Sequence, residues 1–158
     1  MKKNYFLFVL AALAAGLLFL AGCGLGDSAS AALNIPEGKV TLYKSPTCGC
    51  CAVYSSYLGK KGLKAEIVDV PDIQVIKEQY KIPSSMESCH TTVIGDYFVE
   101  GHVPLEAIAK LMAEKPDIRG IAMPGMPTGS PGMSGAKSGP FVVYAVGNNG
   151  NTYEFMRI

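Results

Sequence analysis

Three cysteines fall within four positions of "SPTCGCC", at Cys48, Cys50 and Cys51, and a fourth stands at Cys89 in "ESCHTT". A thiolate is both a nucleophile and a soft metal ligand, so these sulfurs admit a redox pair, a metal cage or a disulfide staple. Cys48 and Cys51 have the C-x-x-C spacing of a thiol–disulfide pair, with Cys48 attacking and Cys51 resolving. Cys50 fits that chemistry poorly, because a third adjacent sulfur invites scrambled pairs. Three thiolates at one helix end make instead a dense soft-donor site suited to Cu(I) and Zn(II). A staple is the weakest reading, since cysteines this near to one another close only tiny loops. An iron–sulfur cluster would have four cysteines to draw on, but the 48/50/51/89 spacing matches neither ferredoxin pattern.

Histidine and methionine extend the candidate donor set. His90 directly follows Cys89, yet neighbouring side chains on a strand point to opposite faces, so ligand and bystander roles are evenly balanced for it. His102, in "VEGHVP", stands between a strand and a helix start, where a ligand role competes with simple hydrogen bonding. "MPGMPTGSPGM" holds Met123, Met126 and Met133. Methionine usually fills irregular gaps in a core. Three of the chain's seven methionines gathered in a Gly/Pro-rich stretch point instead to weak, exchangeable Cu(I) contacts through neutral thioethers. Met112 and Met156 fit core positions, and Met86 is open to either reading.

The elements that must position these groups follow from hydrophobic periodicity. "KVTLYK" (39–44) and "KAEIVDV" (64–70) read as strands, and Val53, Tyr54, Tyr57 and Leu58 mark a helix between them. That is a βαβ unit, with its two strands parallel. The C-x-x-C pair lies at the strand-to-helix junction, where free backbone N–H groups and the helix dipole favour a thiolate. There a thiol pKa falls from about 8.5 to between about 3.5 and 7.5. Ile73, Ile76 and Tyr80 mark a second helix ending at Pro83. "TTVIG" and "YFVEG" flank Gly95-Asp96 as an antiparallel hairpin, and a third helix carries Leu105, Ile108, Leu111 and Met112. The order βαβ-α-ββ-α is that of a thioredoxin-like α/β domain. Such a domain usually has a cis-proline in the loop entering its third strand; here Cys89 and His90 occupy that place, and this favours coordination. Residues 120–140 are expected as a Gly/Pro/Met-rich loop, and "FVVYAV" and "TYEFMRI" as a C-terminal β-hairpin.

The chain has 158 residues, room for one domain once targeting sequence is set aside. Lys2 and Lys3 precede an apolar run ending in "LAGC", the pattern of a secretory signal followed by a lipobox. A retained membrane anchor is the alternative, since about 18 apolar residues nearly span a bilayer. The lipobox assigns residues 1–22 to a lipoprotein signal peptide, Cys23 to lipidation, 23–38 to a tether and 39–158 to the folded domain. Gly24 in place of aspartate favours outer-membrane retention in a cell with two membranes. Lys2 and Lys3 leave with the signal, so the 14 basic and 13 acidic residues become 12 and 13, a formal charge of −1. No basic stripe suggests nucleic acid.

"CGCC", "SCHT", "VEGHVP" and "MPGMPTGSPGM", in this order, resemble the CopG-type family of periplasmic copper-resistance proteins over roughly residues 39–158. The resemblance implies a thioredoxin-like fold, copper as the metal, and Cys48, Cys50, Cys51 and Cys89 as a thiolate core. Met126 and Met133 would be additional contacts, with Met123, His90 and His102 completing the candidate set. One departure is tryptophan, which many members carry soon after the motif; this chain offers Tyr54 and Tyr57. The expected function is extracytoplasmic Cu(I) binding in the bacterial envelope, for one or more ions, with other copper-resistance proteins as partners. The rival is a thiol–disulfide oxidoreductase using Cys48 and Cys51, and whether either involves turnover is left open.

Overall fold

The computed structural model describes residues 40–158. The signal, Cys23 and the tether lie outside the described residues. Among those described, no helix is long and apolar enough to cross a membrane. Among the described residues, seven strands and three α-helices form a mixed α/β domain around one sheet, ordered β2-β1-β3-β4-β5-β6-β7.

Strand β1 (Val40–Lys44) alternates buried and half-buried residues, as period-2 geometry requires. It leads through a short turn into helix α1 (Gly49–Lys60), which buries Cys51, Tyr54 and Leu58 along one stripe. Strand β2 (Glu66–Asp69) then pairs parallel to β1, so the expected βαβ unit is present. Helix α2 (Gln74–Gln79) and a 3₁₀ turn (Ser84–Met86) bring the chain to β3 (His90–Ile94), antiparallel to β1. In that register Lys44, at the end of β1, stands opposite His90 at the start of β3. Both ends therefore meet beside the N-terminus of α1.

Strand β4 (Tyr97–Glu100) returns antiparallel to β3 across Gly95-Asp96. Gly95 has φ +59°, the conformation needed at the first position of a type II′ hairpin turn. Helix α3 (Leu105–Glu114) packs Ala107, Ile108, Leu111 and Met112 inward and ends at Lys115, just before Pro116. The core unites these with Leu42, Tyr54, Leu58, Ile94 and Val99 from the other elements.

The C-terminal third differs from the sequence expectation in one element. Residues 118–122, partly assigned to the loop, form strand β5 (Ile118–Ala122), parallel to β4 and antiparallel to β6. Gly120 reads as a breaker, but it is the residue the sheet requires there. A Cβ at Gly120 would collide with the Phe98 carbonyl oxygen and meet its ring at 2.7 Å. Strands β6 (Val142–Gly147) and β7 (Thr152–Arg157) form the expected hairpin, which docks through β6 onto β5 and leaves β7 at the edge. The Gly/Pro/Met-rich loop thus begins at Met123. Its own turns order it: Ser130 N donates to Pro127 O at 3.1 Å and Met133 N to Ser130 O at 2.8 Å. It packs against α1 so closely that a Cβ at Gly132 would meet the Tyr54 backbone nitrogen at 2.8 Å.

Candidate metal centre

Helix α1 has Cys48 at its N-cap and Cys50 and Cys51 in its first turn, with no acidic side chain there. The free N–H groups of that turn and the helix dipole therefore act on the sulfurs without a competing carboxylate. Cys48 and Cys51 are joined in a disulfide, with their Cα atoms 5.4 Å apart. Cys50 is free and half-buried, and its sulfur lies 3.5 Å from that of Cys48. Cys89, also free and half-buried, approaches from the segment before β3, and its carbonyl oxygen lies 3.8 Å from the Cys51 sulfur. All four sulfurs lie within 4.8 Å of one another.

A second donor group shares Cys89. Its sulfur is 3.3 Å from Nδ1 of His90 and 3.0 Å from Nε2 of His102, and both imidazoles are fully buried. Nδ1 of His102 meets the Pro131 carbonyl oxygen at 2.6 Å. A carbonyl only accepts, so Nδ1 carries the proton and the neutral ring directs its Nε2 lone pair at Cys89. Metal-ligating histidines are commonly fixed in this way, through the second ring nitrogen on a backbone carbonyl. The Nε2 of His90 is buried without a hydrogen-bond partner. Tyr54 holds the two rings in place: its centroid is 4.6 Å from that of His90 and 5.3 Å from that of His102. Its hydroxyl donates to Val103 O at 2.8 Å.

Electrostatics keep Cys89, His90 and His102 in their neutral forms. Burial, with Cys50 alongside, pushes the Cys89 thiol up to about 12. Burial pushes His90 down to about 3, with His102 and Lys77 adding to the effect. Burial lowers His102 as well, while the hydrogen bond to Pro131 opposes the shift. A soft cation held by Cys89 would reverse the thiol's preference, because a coordinating thiol gives up its proton. The donor set therefore fits a thiophilic ion: four sulfurs, two neutral imidazoles, and no carboxylate in either donor group.

The depressed His90 has a consequence for stability. The unfolded chain takes up this proton near pH 6.5, but the folded chain only near pH 3. Stability is therefore lost as pH falls through that window, by up to roughly 4 kcal/mol at its lower end. In denaturant titrations of the metal-free chain, wild type should lose on the order of 2 kcal/mol more than His90→Gln between pH 7 and pH 4.5. Equal losses would place the acid sensitivity elsewhere.

The methionines separate. Met123 belongs to the apolar core, Met126 is exposed and Met133 is half-buried in the loop that carries Pro131. The sequence admits both ligand and bystander roles for His90 and His102, and both rings meet Cys89. Lys77 and Glu100 are not among the candidates the sequence offers. These form a buried ion pair, and Glu100 also accepts hydrogen bonds from Ser88 N and Thr91 Oγ1, both at 2.6 Å. One signal was available: Lys77 shares the helical face of Ile73, Ile76 and Tyr80.

Fold and donor cluster together define an α/β domain of the thiol-rich metal-binding class. The chain is similar to two solved structures described as copper resistance protein copG. Form 2 is 37% identical with a TM-score of 0.71, over 75% of this chain and 96% of that one. Form 1 is 37% identical with a TM-score of 0.70, over 75% of this chain and 95% of that one. A family model described as "Protein of unknown function, DUF411" matches residues 86–133, the stretch from the 3₁₀ turn through Met133. No curated protein matches. This chain belongs to the CopG copper-resistance family.

Proposed function

We propose that this protein binds Cu(I) outside the cytoplasm for copper handling or resistance, held to a membrane through lipid at Cys23. The observation that carries the reading is the convergence of Cys48, Cys50, Cys51 and Cys89 within 4.8 Å of one another. Thiolates shared between ions would offset the charge of more than one Cu(I). Cys89 bridges the sulfur cluster and the His90–His102 pair, so the imidazoles complete the donor set. The half-buried Met133 and the exposed Met126 would add weaker thioether contacts if the loop brings them to the ion.

The parallel β1–α1–β2 unit, followed by β3, β4 and α3, supports reading this half as thioredoxin-like, with the hairpin β6–β7 and strand β5 as an extension. In that frame the Cys48–Cys51 bond is a switch. Forming it from two thiolates makes one S–S bond and releases two electrons, enough to reduce two Cu(II) ions to Cu(I). It also withdraws two of the four sulfur donors, so reduction raises the site's capacity for Cu(I) and oxidation lowers it.

The Cys48–Cys51 bond at the start of α1 also favours a second reading, thiol–disulfide exchange on protein substrates. The two part company at Cys50. The detergent-solubilised full chain, reduced and anaerobic, is titrated with Cu(I) against a competing chelator, and its disulfide exchange with glutathione is timed. The copper reading predicts that Cys50→Ser weakens Cu(I) binding at least about tenfold and leaves exchange intact. Unchanged Cu(I) binding in Cys50→Ser would favour the oxidoreductase.

A further inference from the structure

Glu100 ends β4 with its side chain fully buried, and Lys77 on α2 is 1% exposed. A buried ion pair is a poor route to stability, because an apolar pair of similar volume is often as good or better. This pair does something an apolar pair does not. One oxygen of Glu100 accepts from Lys77 Nζ and from Ser88 N, and the other accepts from Thr91 Oγ1. The carboxylate thereby grips the chain on both sides of Cys89 and His90.

Other contacts place Glu100 where the site's segments cross. Thr91 is its register partner across the β3–β4 ladder, and its own carbonyl accepts Met123 N at 3.0 Å. His102 lies two residues further on. Between them Gly101, at φ +80°, leaves space so tight that a Cβ would meet both Ser88 Cβ and Met123 O at 2.7 Å. Three segments thus meet at Glu100 and its neighbour Gly101: 88–91 with Cys89, 100–102 with His102, and the start of the methionine loop.

We infer that the Lys77–Glu100 pair is a positioning device, holding Cys89 and His90 against His102 and the Cys48/Cys50/Cys51 cluster. Lys77 anchors the carboxylate from α2, and the carboxylate fixes the backbone at Ser88 and the side chain at Thr91. Neither residue belongs to either donor group. The inference rests on the copper reading only for its metal readout.

The test replaces both charges, Lys77→Met with Glu100→Leu, in the detergent-solubilised full chain. Two readouts are taken on reduced, metal-free protein: the thermal midpoint, and the iodoacetamide alkylation rate of Cys89 relative to Cys50 by peptide mass spectrometry. Cu(I) affinity is measured alongside. The expected result is a folded variant in which Cys89 alkylates about tenfold faster relative to Cys50, with Cu(I) affinity about 10- to 100-fold lower. Thr91→Val keeps the ion pair and removes one tether, and should raise the same ratio by a smaller factor. It carries the test if the double variant does not fold. A wild-type alkylation ratio in a folded variant would overturn the inference and leave the pair as core. If wild type holds no Cu(I), the copper reading fails, and the alkylation ratio still decides whether the pair positions Cys89.

Discussion

Cys89→Ser should lower Cu(I) affinity by at least about 100-fold, some 2.8 kcal/mol, in the reduced full chain. The size follows from position. Cys89 is the one sulfur shared by both donor groups, the four-cysteine cluster and the Cys89–His90–His102 group. Its loss removes a thiolate from the first and the only sulfur from the second. The serine hydroxyl left behind is a hard donor at a site selected for a soft ion. Cys48 and Cys51 sit on α1 with their Cα atoms 5.4 Å apart whatever residue 89 is, so their disulfide should still form. Chelator competition and thiol counting on the same sample check both halves. Loss of the disulfide along with the copper would mean that the substitution disturbs the whole site.

The second large effect is redox-dependent. Protein carrying the Cys48–Cys51 bond should take up about half the Cu(I) equivalents of the reduced chain, since two of four thiolates are withdrawn. Cys50 and Cys89 remain free in that state, with His90 and His102 beside Cys89, so binding weakens without vanishing. Reductant should restore the full number in wild type. A Cys48→Ser, Cys51→Ser chain should stay at the oxidised value with or without reductant. Titration with Cu(I) before and after anaerobic reduction checks this. Equal stoichiometry in both states would remove the switch from the account.

Much of this site was legible in the sequence because its chemistry is local. Cys48, Cys50 and Cys51 announce themselves by spacing, and the strand-to-helix junction that carries them follows from the periodicity of "KVTLYK" and the Tyr54–Leu58 stripe. Cys89 was legible from the hairpin that follows it. His102 was legible only as one of two readings, because its approach to Cys89 depends on how β4 exits past Gly101 and on a carbonyl supplied by Pro131 from a distant loop. Alternation of side chains on a strand argued evenly for and against His90. The rule does not govern the pair, since Cys89 lies before the first residue of β3. Lys77 and Glu100 stayed hidden for a different reason: a single charge in a helix or strand ordinarily faces water, and only tertiary pairing shows otherwise. Strand β5 was obscured by Gly120, which reads as a loop residue until Phe98 is seen to occupy the space a side chain would need.

Whether the cysteines hold copper is decided by copper K-edge X-ray absorption of the reduced, Cu(I)-loaded full chain. The expected result is a Cu(I) edge with a first shell dominated by sulfur, and a loss of sulfur neighbours when Cys48 and Cys51 are oxidised. A first shell of nitrogen and oxygen, unchanged by oxidation, would contradict it and leave the cysteines to thiol chemistry alone.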